Sequence, residues 1–129
     1  MKKSPVIHFE MPYKDEKRVA DFYTKVFGWD MQILGPEMSG YILAGTTETE
    51  NMIPIKPGAI NGGLFPASDE NNRYPLVTIQ VENLEEAMKM VKESGGEILG
   101  KPMEIQGVGT YVAIHDSEGN RVSLLQSLT

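Results

Sequence analysis

Cysteine is absent from the 129-residue chain. Its absence removes disulfides, thiolate metal ligands and thiol nucleophiles together, and leaves the redox compartment open. Apolar runs are short, and no window approaches the ~20 residues of a membrane-spanning helix. Positive charge is scarce as well, with 12 Lys and Arg against 18 Asp and Glu and a formal charge of −6. Nucleic-acid binding needs a local excess of cations, whereas Lys2, Lys3, Lys14 and Lys17 are dispersed among acids. Neither a nucleic acid nor an anionic membrane is an expected partner. No glycine loop opens a helix to cradle a phosphate, because Gly107-Val108-Gly109 precedes a strand pattern and Gly95-Gly96 closes a helix pattern. No Gly-x-Ser-x-Gly elbow occurs either. Lys2 and Lys3 lead into Ser4-Pro5 and an alternating segment rather than an apolar run, so no signal peptide is expected and the expected location is the cytoplasm.

What is present is ordinary globular material. Hydrophobic residues make up 40% and charged residues 23%, which fits one compact folded domain. Residues 6–12 alternate like a half-buried strand, with Phe9 and Met11 on one face and His8 and Glu10 on the other. Asp15 stands where a helix cap belongs, and Val19, Phe22, Tyr23, Val26 and Phe27 recur at helical spacing as one apolar stripe before a stop at Gly28. Strand patterns follow at residues 31–34 and 40–44. Residues 46–57 read as a polar loop in which Pro54 and Pro57 discourage a central strand. Residues 60–65 form a short strand with a flexible middle.

The pattern then restarts. Residues 75–81 alternate like the first strand, and Asn83 with Glu86 has the spacing of a second helix start. Leu84, Ala87, Met88 and Val91 give its stripe, and Gly95-Gly96 its end. An offset of 68 carries Asp15 onto Asn83 and Gly28 onto Gly96 without a gap. Residues 40–44 resemble 110–114, and 60–65 fall opposite 121–125, with a tight turn at residues 116–120. The expected fold is α+β: two tandem βαβββ modules, about 4–66 and 75–129 with a linker at 67–74. Together they are expected to form a curved eight-stranded mixed sheet with helices outside and a concave central pocket.

This pattern resembles the vicinal oxygen chelate superfamily of glyoxalases, bleomycin resistance proteins and extradiol dioxygenases. The resemblance rests on His8-Phe9-Glu10-Met11-Pro12, on Arg18-Val19-Ala20-Asp21-Phe22-Tyr23 with Phe27-Gly28-Trp29, and on Gly62-Gly63, Val81-Glu82-Asn83, Gly95-Gly96 and Asp116-Ser117-Glu118-Gly119-Asn120. It implies metal ligands on the first and last strands of each module. His8 stands at one such position, but Leu76 takes the second module's first-strand place, Ser123 the last-strand place, and Gly62-Gly63 the matching part of module one. A zinc, nickel or iron site asks for about three or four protein ligands. No complete set is expected, although His8 remains a candidate ligand for a divalent metal.

The candidate catalytic residues are His8, as a base near neutral pH or a remnant ligand, and Glu10, as a carboxylate able to take a carbon-bound proton. Tyr41 and Tyr111, paired by the repeat, are candidate pocket walls. Leu76, Thr78, Arg121 and Ser123 join them as candidate substrate contacts. Gln80 shares the inner face with them, because Val77, Ile79, Val122 and Leu124 claim the helix side. Met31, Met38 and Met52 could add apolar lining, and His115 belongs near a strand end. The leading expectation is a homodimeric binder of a small, partly apolar organic molecule without a complete metal site. A metal-dependent glyoxalase-type lyase or isomerase is the first alternative, and an interaction or regulatory subunit with a filled cavity the second.

Overall fold

The structure, a computed structural model, describes residues 1–68 and 73–128. Two units emerge from its contacts, His8–Pro75 and Leu76–Thr129 with Met1–Ile7, here called module one and module two. The linker expected at residues 67–74 lies partly outside the described residues. The N-terminal residues belong with module two, where Gln80 N–H donates to the Pro5 carbonyl at 2.9 Å and Lys2 Nζ meets Glu82 Oε1 at 2.8 Å.

In the first half of the chain, β1 (Val6–Tyr13) leads into α1 (Glu16–Phe27). Asp15 caps the helix, its Oδ1 accepting from the Arg18 N–H at 2.9 Å. Gly28 ends it in the left-handed region at φ 71°, a conformation that glycine adopts without a Cβ penalty. There follow β2 (Asp30–Ile33), β3 (Ile42–Gly45), β4 (Thr49–Glu50), β5 (Ile53–Pro54) and β6 (Gly62–Pro66). Strands run β2-β3-β6-β1, antiparallel except for the parallel pair β1 and β6. Ile42, Ala44 and Leu64 form the buried centre, with Phe9, Met11, Tyr13, Val19, Tyr23, Trp29 and Met31 packed around them.

Two expectations are corrected here. The apolar stripe of α1 does not all face the sheet: Phe22, Val26 and Phe27 are each more than half exposed, while Ala20 is buried. The helix is rotated so that Val19, Ala20 and Tyr23 point inward, and at about 3.6 residues per turn this leaves Phe22 and Val26 on the flank. Residues 46–57 are also more ordered than a loop. The strands β4 and β5 pair as a separate two-stranded ribbon, Thr49 against Pro54 and Glu50 against Ile53, turning through Asn51 and Met52 at φ 52° and 67°. Two consecutive left-handed residues are what a tight hairpin turn requires.

Module two repeats the plan with β7 (Leu76–Gln80), α2 (Leu84–Glu93), β8 (Glu97–Ile105), β9 (Gly109–His115) and β10 (Arg121–Ser127). Its order is β7-β10-β9-β8, with β7 and β10 parallel and the other pairs antiparallel. Each module is therefore a four-stranded mixed sheet with one helix, as the repeat requires. Asn83 Oδ1 caps α2 through the Glu86 N–H at 2.9 Å. The helix ends at Glu93, two positions earlier than the repeat implies, and Gly95 rather than Gly96 takes the left-handed turn, at φ 92°. Leu84, Val112, Ile114 and Leu124 make the core. A tight turn joins β9 to β10, held by Asp116 Oδ1 accepting from the Glu118 and Asn120 N–H groups.

Candidate functional site

The alternation of β1 decides what the open face of module one carries. Phe9 and Met11 pack into the helix-side core, so His8 and Glu10 stand on the opposite face. Both meet the side chain of Tyr41, which lies just before β3. The Tyr41 hydroxyl donates to Glu10 Oε2 at 2.6 Å and stands 3.2 Å from His8 Nε2. A phenol has one proton, and the short bond commits it to the carboxylate. His8 Nε2 is then a donor to the phenol oxygen, which leaves Nδ1 unprotonated in the neutral ring. Burial pushes the His8 pKa below the ordinary 6.5, because a low-dielectric setting disfavours the charged imidazolium. The result is a directed chain of hydrogen bonds, imidazole to phenol to carboxylate, which leaves the bare Nδ1 of His8 as an available base.

Room for this chain comes from Gly63. In the register of β1, β6 and β3, Glu10, Gly63 and Leu43 form one row across the sheet. A Cβ on Gly63 would fall on the Tyr41 hydroxyl and ring, so the phenol lies across the strand only because position 63 has no side chain. Gly62 does the same on the helix side, where a Cβ would come within 2.5 Å of the Phe9 ring. The sequence marks this pair as a flexible strand middle, and its role as a double cradle was missed. The available signal was a glycine in a core strand, which often marks a close approach by another group.

The other candidates lie in module two. Thr78 and Ser123 are register partners and buried, as is Leu76. Gln80 Nε2 donates to Ser127 Oγ at 2.7 Å. Ser123 is also opposite Ala113, as Gly63 is opposite Leu43. This repeat equivalence explains why the two tyrosines differ: Ser123 has a Cβ where Gly63 has none, and the Tyr111 hydroxyl donates to Met103 Sδ at 3.5 Å. The expected Tyr41 and Tyr111 symmetry therefore holds in chain position but not in hydroxyl partners. Arg121 is paired in register with His115, whose Nδ1 is 3.1 Å from Glu97 Oε1. Met31 belongs to the module-one core, while Met38 and Met52 are exposed. Among the described residues, no group of three or more His, Asp or Glu gathers as a metal cage would require.

Comparison with known proteins gives three likenesses and a family. Residues 6–124 match the model of the Glyoxalase/Bleomycin resistance protein/Dioxygenase superfamily. Lactoylglutathione lyase of Salmonella typhimurium is 27% identical over 131 residues, covering 95% of this chain and 92% of that protein. The anthracycline biosynthesis protein DnrV of Streptomyces peucetius is 22% identical over 117 residues, and this chain spans 42% of its length. Among solved structures, a variant of Streptomyces coelicolor methylmalonyl-CoA epimerase in complex with 2-nitronate-propionyl-CoA superposes with a TM-score of 0.70 at 14% identity, over 99% of this chain and 100% of that one. That last likeness is one of fold. No helix of the described residues is long and apolar enough to cross a membrane.

Proposed function

The chain belongs to the Glyoxalase/Bleomycin resistance protein/Dioxygenase superfamily, and from that premise we propose that it binds a small, partly apolar organic molecule on the open face of module one. The observation that carries this reading is the Tyr41 bridge between His8 and Glu10. It places a polar trio beside a row that runs from Glu10 across Gly63 to the exposed Leu43, which favours a ligand with a polar end and an apolar portion. Module two, taken by itself, keeps Tyr111 and Arg121 as contact candidates of its own sheet, in which Leu76, Thr78 and Ser123 are buried. His8, through its unprotonated Nδ1, and Glu10 are the bases available if the bound molecule turns over.

A divalent metal does not fit the donor set that supports this reading. Among the described residues no third His, Asp or Glu gathers with His8 and Glu10, and both of these are engaged by Tyr41. A tight site asks for about three or four ligands. The test is calorimetry and thermal shift with S-lactoylglutathione, methylmalonyl-CoA and a wider metabolite set. A ligand that stabilises the wild type and loses at least about tenfold in affinity in Tyr41→Phe, as expected for a hydrogen bond in a charged network, supports the proposal. No ligand across the set, or binding indifferent to Tyr41, His8 and Glu10, removes it.

A second reading, a metal-dependent lyase or isomerase, is favoured by the likeness to lactoylglutathione lyase along nearly all of both chains. It requires stoichiometric metal in the purified protein and activity that chelation abolishes.

A further inference from the structure

Among the described residues the ribbon of β4 and β5 has no counterpart in module two, where residues 116–120 make the equivalent connection as a tight turn. Its base is held firmly. Asn61 Oδ1 accepts from the Thr46 and Thr47 N–H groups at 2.8 and 3.2 Å, and the Thr46 hydroxyl donates to the Ile60 carbonyl at 2.5 Å. The Ile55 N–H donates to the Glu48 carbonyl at 3.1 Å, so the pairing extends past β4 towards that base. By strand alternation, Glu48 and Glu50 share one face with Ile53 and Ile55. Lys56, next in sequence, falls on the other face. All four residues are exposed, with Ile53 and Ile55 more than half exposed. Among the described residues neither glutamate has an ion-pair partner. The ribbon therefore presents an acidic strand beside an apolar one on a pinned support.

The exposed flank of α1 carries the complement. Arg18, Phe22, Lys25 and Val26 fall at spacings of four, seven and eight, which places them on one stripe of a helix. Phe22 and Val26 are the residues that the rotation of α1 leaves outside. Lys17 is engaged by Asp21 at 3.3 Å, whereas Arg18 and Lys25 have no ion-pair partner among the described residues. We propose that the ribbon face of one copy docks on the α1 stripe of a second copy, Glu48 and Glu50 against Arg18 and Lys25, and Ile53 and Ile55 against Phe22 and Val26. Under two-fold symmetry the contact occurs twice, ribbon to helix and helix to ribbon. Apolar burial supplies the affinity, since exposed ion pairs alone contribute only about 0–1 kcal/mol each, and the charges set partner and register. The inference is independent of any ligand on the open face.

Sedimentation velocity over a concentration series tests it, with circular dichroism to confirm that each variant is folded. The wild type is expected to dimerise. A ribbon reversal (Glu48→Lys with Glu50→Lys) and a helix reversal (Arg18→Glu with Lys25→Glu) should each weaken self-association at least about tenfold, because like charges then face each other. Mixed, the two reversed proteins should associate again, since each ribbon then meets a helix of opposite sign. Ile53→Ser with Ile55→Ser gives an uncharged check and should also weaken the dimer. A monomeric wild type, a dimer indifferent to the reversals, or a mixture that fails to associate would each overturn the proposal.

Discussion

The Tyr41 hydroxyl is 2.6 Å from Glu10 Oε2 and gives its only proton to that carboxylate. Everything about His8 follows from this allocation. Its Nε2 must donate, its Nδ1 must be bare, and the ring is neutral near pH 7 because burial resists its charging. Nitrogen NMR of the imidazole should report the Nε2–H tautomer in the wild type. In Tyr41→Phe the preference for that tautomer should be lost.

Removing that hydroxyl also tests its contribution to stability. Tyr41→Phe should lower unfolding free energy by about 1–2 kcal/mol, the range for a partly exposed hydrogen bond to a charged acceptor. Urea midpoints give the value. A neutral result would mean that water replaces the phenol at no cost.

Gly63 should resist substitution for a reason unrelated to its backbone. Its φ is not in the left-handed region, so alanine is conformationally allowed there. Gly63→Ala should nevertheless cost about 1–3 kcal/mol by displacing the Tyr41 ring, as overpacking does. In a Tyr41→Ala background the same change should become neutral or slightly stabilising. A double-mutant cycle measures that coupling, and additivity would contradict the cradle.

Stability should fall as the medium turns acidic. His8 binds its proton less readily when folded than when unfolded. As the pH drops below the ordinary 6.5, the unfolded chain takes up the proton first and is favoured. Above that value both states are neutral and the effect vanishes. Denaturant midpoints at pH 8, 6.5 and 5.5 should decline in the wild type, and His8→Gln should show a smaller decline across the same window.

Both helix caps should matter equally, since the repeat uses the same device twice. Asp15→Ala and Asn83→Ala each remove an acceptor for the N–H three residues on, and each should cost about 1 kcal/mol. A thermal melt of each variant compares them directly.

Much of the fold was legible because local rules and the repeat agreed. Caps at Asp15 and Asn83, the stop at Gly28 and the alternation of β1 and β7 are decided by neighbours in sequence. The rotation of α1 was not legible, because whether Phe22 or Ala20 faces the sheet depends on how the whole helix packs. The ribbon was hidden by Pro54, which argues against a central strand but is tolerated on an isolated pair. In the candidate site, alternation placed His8 and Glu10 on one face correctly. What joins them is Tyr41, brought across from a loop more than thirty residues away, and no local pattern announces such a contact. Gly63 was legible only as a gap whose occupant was unknown.

That gap limits how the module could change by descent. The resemblance implies a ligand-bearing side chain on this last strand of the module, yet any side chain arriving at position 63 meets the Tyr41 ring. The ring must shrink before the new group can be accommodated, and losing the ring first breaks the bridge from His8 to Glu10. A lineage starting from this chain therefore has to cross an intermediate that has given up one arrangement before gaining the other, so the two designs are separated by a valley rather than a slope.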